Sequence, residues 1–236
     1  MKGLKLKIMV FLLGCLTMTA CVDYDDIQPF NGKTLPRKSG YSTGVTNDWI
    51  YFNLRTGEMF NAYGVNKDIK EGEQYGRTDW DLAFCGYVLR TNSGTSGIGR
   101  GGAADLGYGE YNKWTSVSQL PSDLEWVVDN GEVSVTMSQN DWNHYLVENG
   151  LGFDSNPWFD PNNGPQRTKT NANPLLAEAM TFAGPPPVYT PSFHTYVVRT
   201  ADGQRYFKIQ IISWYDANVE IGDEGGRISY YCDELK

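Results

Sequence analysis

Two histidines, His144 and His194, are all that this 236-residue chain carries. That scarcity removes much catalytic chemistry at once. No H-E-x-x-H pair is available for zinc, no G-x-S-x-G elbow presents a serine, and no P-loop cradles a phosphate. Basic charge is also short. Lys and Arg number 20 against 28 Asp and Glu, a net charge of -8 with a pI near 4.8. A nucleic-acid surface needs a basic stripe that displaces counterions, and none is visible. Four cysteines are present and none forms a C-x-x-C pair, so zinc and thioredoxin-type readings have no support. No repeat and no low-complexity tract is found. Carboxylates are numerous, but their order pairs no two of them across a cleft for glycosidase work. The expectation is a protein that is not an enzyme.

The one apolar run, roughly residues 8–20, is too short and wrongly flanked to cross a membrane. Lys2, Lys5 and Lys7 precede it, which reads as a secretory signal peptide over residues 1–20. It ends at Met18-Thr19-Ala20-Cys21, similar to a lipobox in which the cysteine is lipidated. Leu12-Leu13-Gly14-Cys15 fits such a box better at Leu, but cleavage there would leave a very short apolar core. Cys21 is therefore the expected lipidation site, with the lipid anchor as the sole membrane contact. Residues 21–46, polar and turn-rich, read as a lipidated N-terminus and flexible stalk before a domain over residues 47–236.

That domain reads as all-β, β-rich with one or two short helices. Trp49–Leu54, Trp80–Arg90, Val133–Met137, Tyr196–Arg199, Arg205–Ile211 and Arg227–Tyr231 are strand-like, several with clean alternation. Asp202-Gly203 is a hairpin turn dipeptide. Helical periodicity is confined to Asp141–Asn149 and Pro174–Met180. Cys85 and Cys232 lie in strand-like segments of an exported domain, where either a disulfide or two buried thiols would serve.

Gly97, Gly99 and Gly102 satisfy G-x-G-x-x-G within Ser96-Gly97-Ile98-Gly99-Arg100-Gly101-Gly102. A dinucleotide loop must open a helix inside a βαβ unit. Ala103–Gly109 holds two further glycines and cannot sustain one, so this stretch is expected to be a close-packed link between strands. Asp160-Pro161-Asn162-Asn163-Gly164 has calcium-like oxygen spacing without the later glutamate of an EF-hand, and a plain turn is expected.

The same glycine run has a wider context. Thr78-Asp79-Trp80-Asp81-Leu82-Ala83-Phe84, followed by Leu89–Ala103, resembles the HmuY family of haem-binding lipoproteins of Bacteroidetes. The W-D-[ILM]-A strand and the R-x-N-x-G-x-S-G-x-G-x-G-G-A run both match, as does the V-R-x-A-D-G hairpin at Val198–Gly203. Lys208-Ile209-Gln210 and Trp214-Tyr215-Asp216-Ala217 extend the likeness, which covers most of residues 47–232. The acidic residues after Cys21 likewise resemble the surface-export signal of Bacteroidetes lipoproteins.

The resemblance implies a hand-shaped single domain that grips one non-covalent b-type haem and passes it to a TonB-dependent outer-membrane haem receptor. The location implied is the outer membrane, lipid-anchored and facing the exterior. Haem iron takes neutral His or Met ligands in such sites. Counting from Val133-Ser134-Val135 to Gly152-Phe153, the first ligand position falls on His144, with Trp142 and Tyr145 as wall. The second falls on Phe182, which cannot bind iron. Met180, two residues earlier and on the same face of an extended chain, takes its place, with Phe182, Pro185 and Tyr189 as further wall. Met137 and His194 are reserve ligands. Two other readings stand beside this one: a surface glycan-binding lipoprotein, from seven tryptophans and fifteen tyrosines, and an interaction protein that has lost haem ligation.

Overall fold

A computed structural model describes residues 30–37, 49–183, 188–218 and 225–236. The signal peptide, Cys21 and Pro185 lie outside the described residues. In chain order the strands are β1 (Lys33–Thr34), β2 (Ile50–Asn53), β3 (Glu58–Phe60), β4 (Leu82–Cys85), β5 (Val88–Thr91), β6 (Gly102–Tyr108), β7 (Asn130–Thr136), β8 (Phe159–Asp160) and β9 (Gly164–Pro165). They continue with β10 (Arg167–Ala172), β11 (Met180–Ala183), β12 (Val188–Pro191), β13 (His194–Arg199), β14 (Tyr206–Ser213) and β15 (Ser229–Glu234). One α-helix is described, α1 (Gln139–Glu148). The other helical expectation, Pro174–Met180, is a short 3-10 turn at Leu176–Ala179 that runs straight into β11. No described helix is long and apolar enough to cross a membrane.

Two antiparallel sheets carry the fold, one in the order β1-β15-β14-β13-β6 and one in the order β3-β2-β4-β5. Their inner faces share one core. Ile50, Leu82, Phe84 and Leu89 of the small sheet meet Tyr196, Val198, Phe207, Ile209 and Tyr230 of the large one. Phe84 and Tyr230 touch across the gap with ring centroids 5.3 Å apart. Strand parity sets this arrangement. Along β4, Leu82 and Phe84 face the shared core, whereas Ala83 and Cys85 face a second cluster with Trp49, Tyr51 and Trp80. Val133, Val135 and Ala172 of the β7–β10 ribbon close that second cluster. A third cluster, on the far face of the large sheet, gathers Ala104, Leu106, Trp114, Val197 and Leu235.

Two expectations are corrected here, and one choice left open by the sequence is decided. The run Trp80–Arg90 is two strands, because Gly86 at φ +55 turns the chain so that Cys85 pairs with Val88. Both strands are buried on both faces, so the apolar pattern continues across the turn. Cys85 and Cys232 form no disulfide and are both buried thiols. Cys85 points into the cluster outside the small sheet and Cys232 into the core between the sheets. A disulfide requires side chains directed at each other. Burial pushes the Cys232 thiol up to about 11. Lys33 and Thr34, within the stretch expected as a stalk, pair with β15 at the edge of the large sheet, and Leu35 behind them is buried. Residues Asn31–Lys236 form one compact unit.

The glycine run behaves as expected. It links β5 in one sheet to β6 in the other and wraps the buried Asn92. Gly99 N–H donates to Asn92 Oδ1 at 2.9 Å, and Asn92 Nδ2 donates to the carbonyls of Arg77 and Trp80. A Cβ at Gly99 or Gly101 would lie 2.6 Å from the Asn92 carbonyl oxygen. Glycine is needed there for close approach.

Candidate functional site

Beyond the sandwich, the chain between β7 and β13 builds a separate set of elements: α1, the β8–β9 hairpin and the β11–β12 ribbon. Met137, half-buried, follows the end of β7. Its backbone is held from two sides. Met137 N–H donates to Gln166 O at 2.9 Å, and Trp158 Nε1 donates to Met137 O at 2.8 Å. Ser138 then caps α1, its Oγ accepting from Asp141 N–H at 2.9 Å. Leu146 is the fully buried residue of the helix. At 3.6 residues per turn, His144 sits about 160° around the helix axis from it. His144 is accordingly exposed, 74% by side chain, and pairs with Glu148 one turn on at 3.1 Å. Trp142 and Tyr145 lie on another flank. They stack with centroids 5.1 Å apart, and Trp142 Nε1 donates to Asn156 O at 2.9 Å. These two rings pack the helix to the loop after it.

Met180 begins β11, opposite Pro191. It is 2% exposed and belongs to the core shared by the two sheets. Phe182 and Tyr189 form a cross-strand pair with rings 5.2 Å apart. Tyr189 in turn stacks on Trp214 at 4.2 Å and 13°, and Tyr87 packs against both at 5.7 and 5.9 Å. The β8–β9 hairpin touches this group through Gly164, where a Cβ would meet the Phe182 ring at 3.8 Å. Arg167 Nη1 donates to the Tyr87 hydroxyl at 2.7 Å. Desolvation is the main reason that the Tyr189 phenol is held above its usual range, with Tyr87 and Tyr215 adding to it. The outcome is a four-ring aromatic group, half-buried to buried, on which the β11–β12 ribbon rests.

His194 starts β13 as a half-buried residue. Its Nδ1 lies 2.8 Å from Asp105 Oδ2, and its ring packs against Tyr108 and Tyr196. Thus His144 and Met180, chosen together from the sequence, occupy opposite environments, one on the open face of α1 and one in the core. Of the expected wall, Phe182 and Tyr189 do come together. Tyr87, Trp214 and Arg167 were not anticipated as their partners. Trp214 carried a signal, as a residue of the matched Trp214–Ala217 stretch. Tyr87 was hidden by reading its turn as strand, and Arg167 had no local signal.

The residues that carry the resemblance are scaffold. Asp81, fully buried, accepts from Leu54 N–H at 2.8 Å and Ala201 N–H at 2.7 Å, tying the small sheet to the hairpin of the large one. Arg90, also fully buried, lies 3.6 Å over the Trp49 ring and donates to the Tyr51 hydroxyl and Glu71. Asp129 accepts from Thr91 N–H, Thr91 Oγ1 and Asn173 Nδ2, yet burial outweighs those bonds and pushes its carboxyl up to about 6. Asp160 accepts from Asn162 N–H at 2.7 Å and Asn163 Nδ2 at 2.9 Å, so the calcium-like spacing closes the β8–β9 turn. Among the described residues no group of three or more His, Cys, Asp or Glu gathers to hold a metal ion. Two axial ligands on a porphyrin iron require no such group.

Residues 45–232 match the family model described as HmuY protein. Among solved structures, apo PinO from Porphyromonas gingivitis is similar with a TM-score of 0.52 at 16% identity, over 86% of this chain and 98% of that one. This likeness bears on the fold. The apo HmuY analog TFO of Tannerella forsythia gives a TM-score of 0.49 at 18% identity, over 90% and 100% of the two chains. A protein from Bacteroides vulgatus whose name calls it HmuY-like and haem-binding gives 0.45 at 17% identity, over 77% and 82%. No curated protein matches the chain.

Proposed function

Because the chain belongs to the HmuY family, matched over residues 45–232, we propose that it is a non-enzymatic haem-binding surface lipoprotein. It captures haem at the end of the sandwich built by α1, the β8–β9 hairpin and the β11–β12 ribbon, and passes it to a TonB-dependent outer-membrane receptor. A lipid on Cys21 tethers it to the outer membrane, facing outward. The family match is the observation that carries this reading.

The donor set fits a haem in kind. An imidazole and two thioethers are neutral iron ligands, and aromatic rings supply apolar wall. The donors differ in readiness. His144 is exposed and needs only to release Glu148. Met137 is half-buried at the root of the same helix. Met180 reaches iron only if the β11–β12 ribbon lifts from the core. His144 is therefore proposed as the first ligand, with Met180 as its partner after such a movement and Met137 as the alternative. Haem, when bound, would supply an iron centre for these donors to ligate. The chain's own part is to offer those donors and to seat the ring against Phe182 and Tyr189.

Haemin titration of the mature domain, oxidised and reduced, tests the reading. A saturable one-to-one Soret change is expected. His144→Ala should shift the spectrum, and Met180→Leu or Met137→Leu should remove the thioether signature. The burial of Met180 favours one rival, a family-fold interaction protein without haem ligation, and a titration with no saturable change would overturn haem capture.

A further inference from the structure

The large sheet carries a cleft of about 600 Å³ whose lining includes none of the three proposed iron donors, a volume within the range of small-ligand sites. Its aromatic members are presented at some conformational expense. Tyr108 stands at the end of β6 between Gly107 at φ +102 and Gly109 at φ +67, and it is 69% exposed. Its ring leans edge-on against His194 at 6.1 Å, which Asp105 anchors. Phe193 is held at φ +56, a left-handed backbone that a bulky residue rarely adopts. Two donors fix it there. Gly109 N–H and Gln210 Nε2 both donate to Phe193 O, at 2.9 and 2.7 Å. The result is a second exposed ring beside Tyr108. Backbone strain of this kind concentrates at functional sites.

Two polar side chains, those of Asp233 and Asn112, are part of the lining. Tyr111 hydroxyl donates to Asp233 Oδ2 at 2.7 Å, and the other carboxylate oxygen has no protein donor among the described residues. The Asn112 side chain lines the cleft and makes no hydrogen bond among the described residues. Exposed rings beside an idle amide and carboxylate suit a ligand with apolar faces and a rim of hydroxyls. Such a ligand stacks C–H groups on the rings and exchanges donors and acceptors with amide and carboxylate. We infer that this cleft is a saccharide site, taking a neutral sugar of one or two rings. The inference goes beyond the haem reading and shares none of its proposed donors, so either can fail alone.

Isothermal titration of the mature chain with glucose, N-acetylglucosamine, lactose, maltose, cellobiose and chitobiose tests it. Saturable one-site binding to at least one of these is expected. Tyr108→Ala and Asn112→Ala, both at exposed positions, should each weaken it about tenfold or more, equivalent to roughly 1.4 kcal/mol, while leaving haemin binding unchanged. Phe193→Gly, which relaxes the backbone and removes the ring, should weaken it similarly in a chain that remains folded. Absence of saturable binding across the panel would overturn the inference, as would binding that survives Tyr108→Ala and Asn112→Ala undiminished.

Discussion

Met180 places two demands on one side chain. As a core residue it fills space between the sheets, and as a proposed iron ligand it would have to expose its sulfur. The variants separate these roles. Met180→Ala empties a buried site and should cost about 2–5 kcal/mol. Met180→Leu keeps the volume, should cost less than about 1.5 kcal/mol, and deletes only the thioether. Urea denaturation of both checks the packing role independently of any haem. Asp129 gives a second prediction at this scale. Its carboxyl rises from 3.8 to about 6 in the folded chain because burial disfavours the charge. The folded state therefore holds that proton more tightly than the unfolded state. The stability this contributes is present in full below the unfolded value and is lost as pH rises toward and past 6, by on the order of 3 kcal/mol. Asp129→Asn, which has no proton to lose, should flatten that slope in denaturation series run from about pH 4 to about pH 7. An unchanged slope would contradict the assignment.

The glycine-rich crossover is where an element can be tested. Gly101 leaves no room for a Cβ beside Asn92, whereas a Cβ at Gly76 would meet open space. Gly101→Ala should destabilise by about 1–3 kcal/mol through overpacking. Gly76→Ala should stay within about 0.5 kcal/mol. Thermal melts of the pair check this, and equal effects would contradict the wrapped-asparagine account. What could be read from sequence follows the range of each cause. The Asp202-Gly203 turn was legible because its chemistry is local: Gly203 adopts φ +74 between β13 and β14. The Trp80–Arg90 hairpin was not, because burial on both faces keeps the residues apolar through the turn. Cysteine pairing was illegible for a different reason, since which core each strand face meets depends on sheets assembled from distant segments. At the site, Phe182 and Tyr189 were legible as neighbours because they flank one short loop. Trp214 and Tyr87, which complete the ring group, arrive from distant parts of the chain. The environments of His144 and Met180 were also out of reach. Helix rotation about Leu146 and packing of β11 on the core are tertiary facts.

At the scale of the molecule, a two-sheet sandwich bears a further set of elements built between β7 and β13. Asp81, Arg90 and Asn92 lock the sandwich from within, so these residues of the stretches that announce the family serve the frame. The iron chemistry is proposed instead for α1 and the β11–β12 ribbon, the latter joined to the sandwich through aromatic contacts and the Met180 side chain. Haem capture on such a frame requires ligands from two separate elements to converge, and His144 and Met180 begin apart. The most direct test is a haemin titration of the mature chain beside its His144→Ala and Met180→Leu variants, followed by Soret and visible spectra in both oxidation states. The account predicts saturable one-to-one binding, with a spectrum altered in each variant. Saturable binding with spectra identical in all three chains would contradict the ligand pair, and no saturable binding would contradict the function.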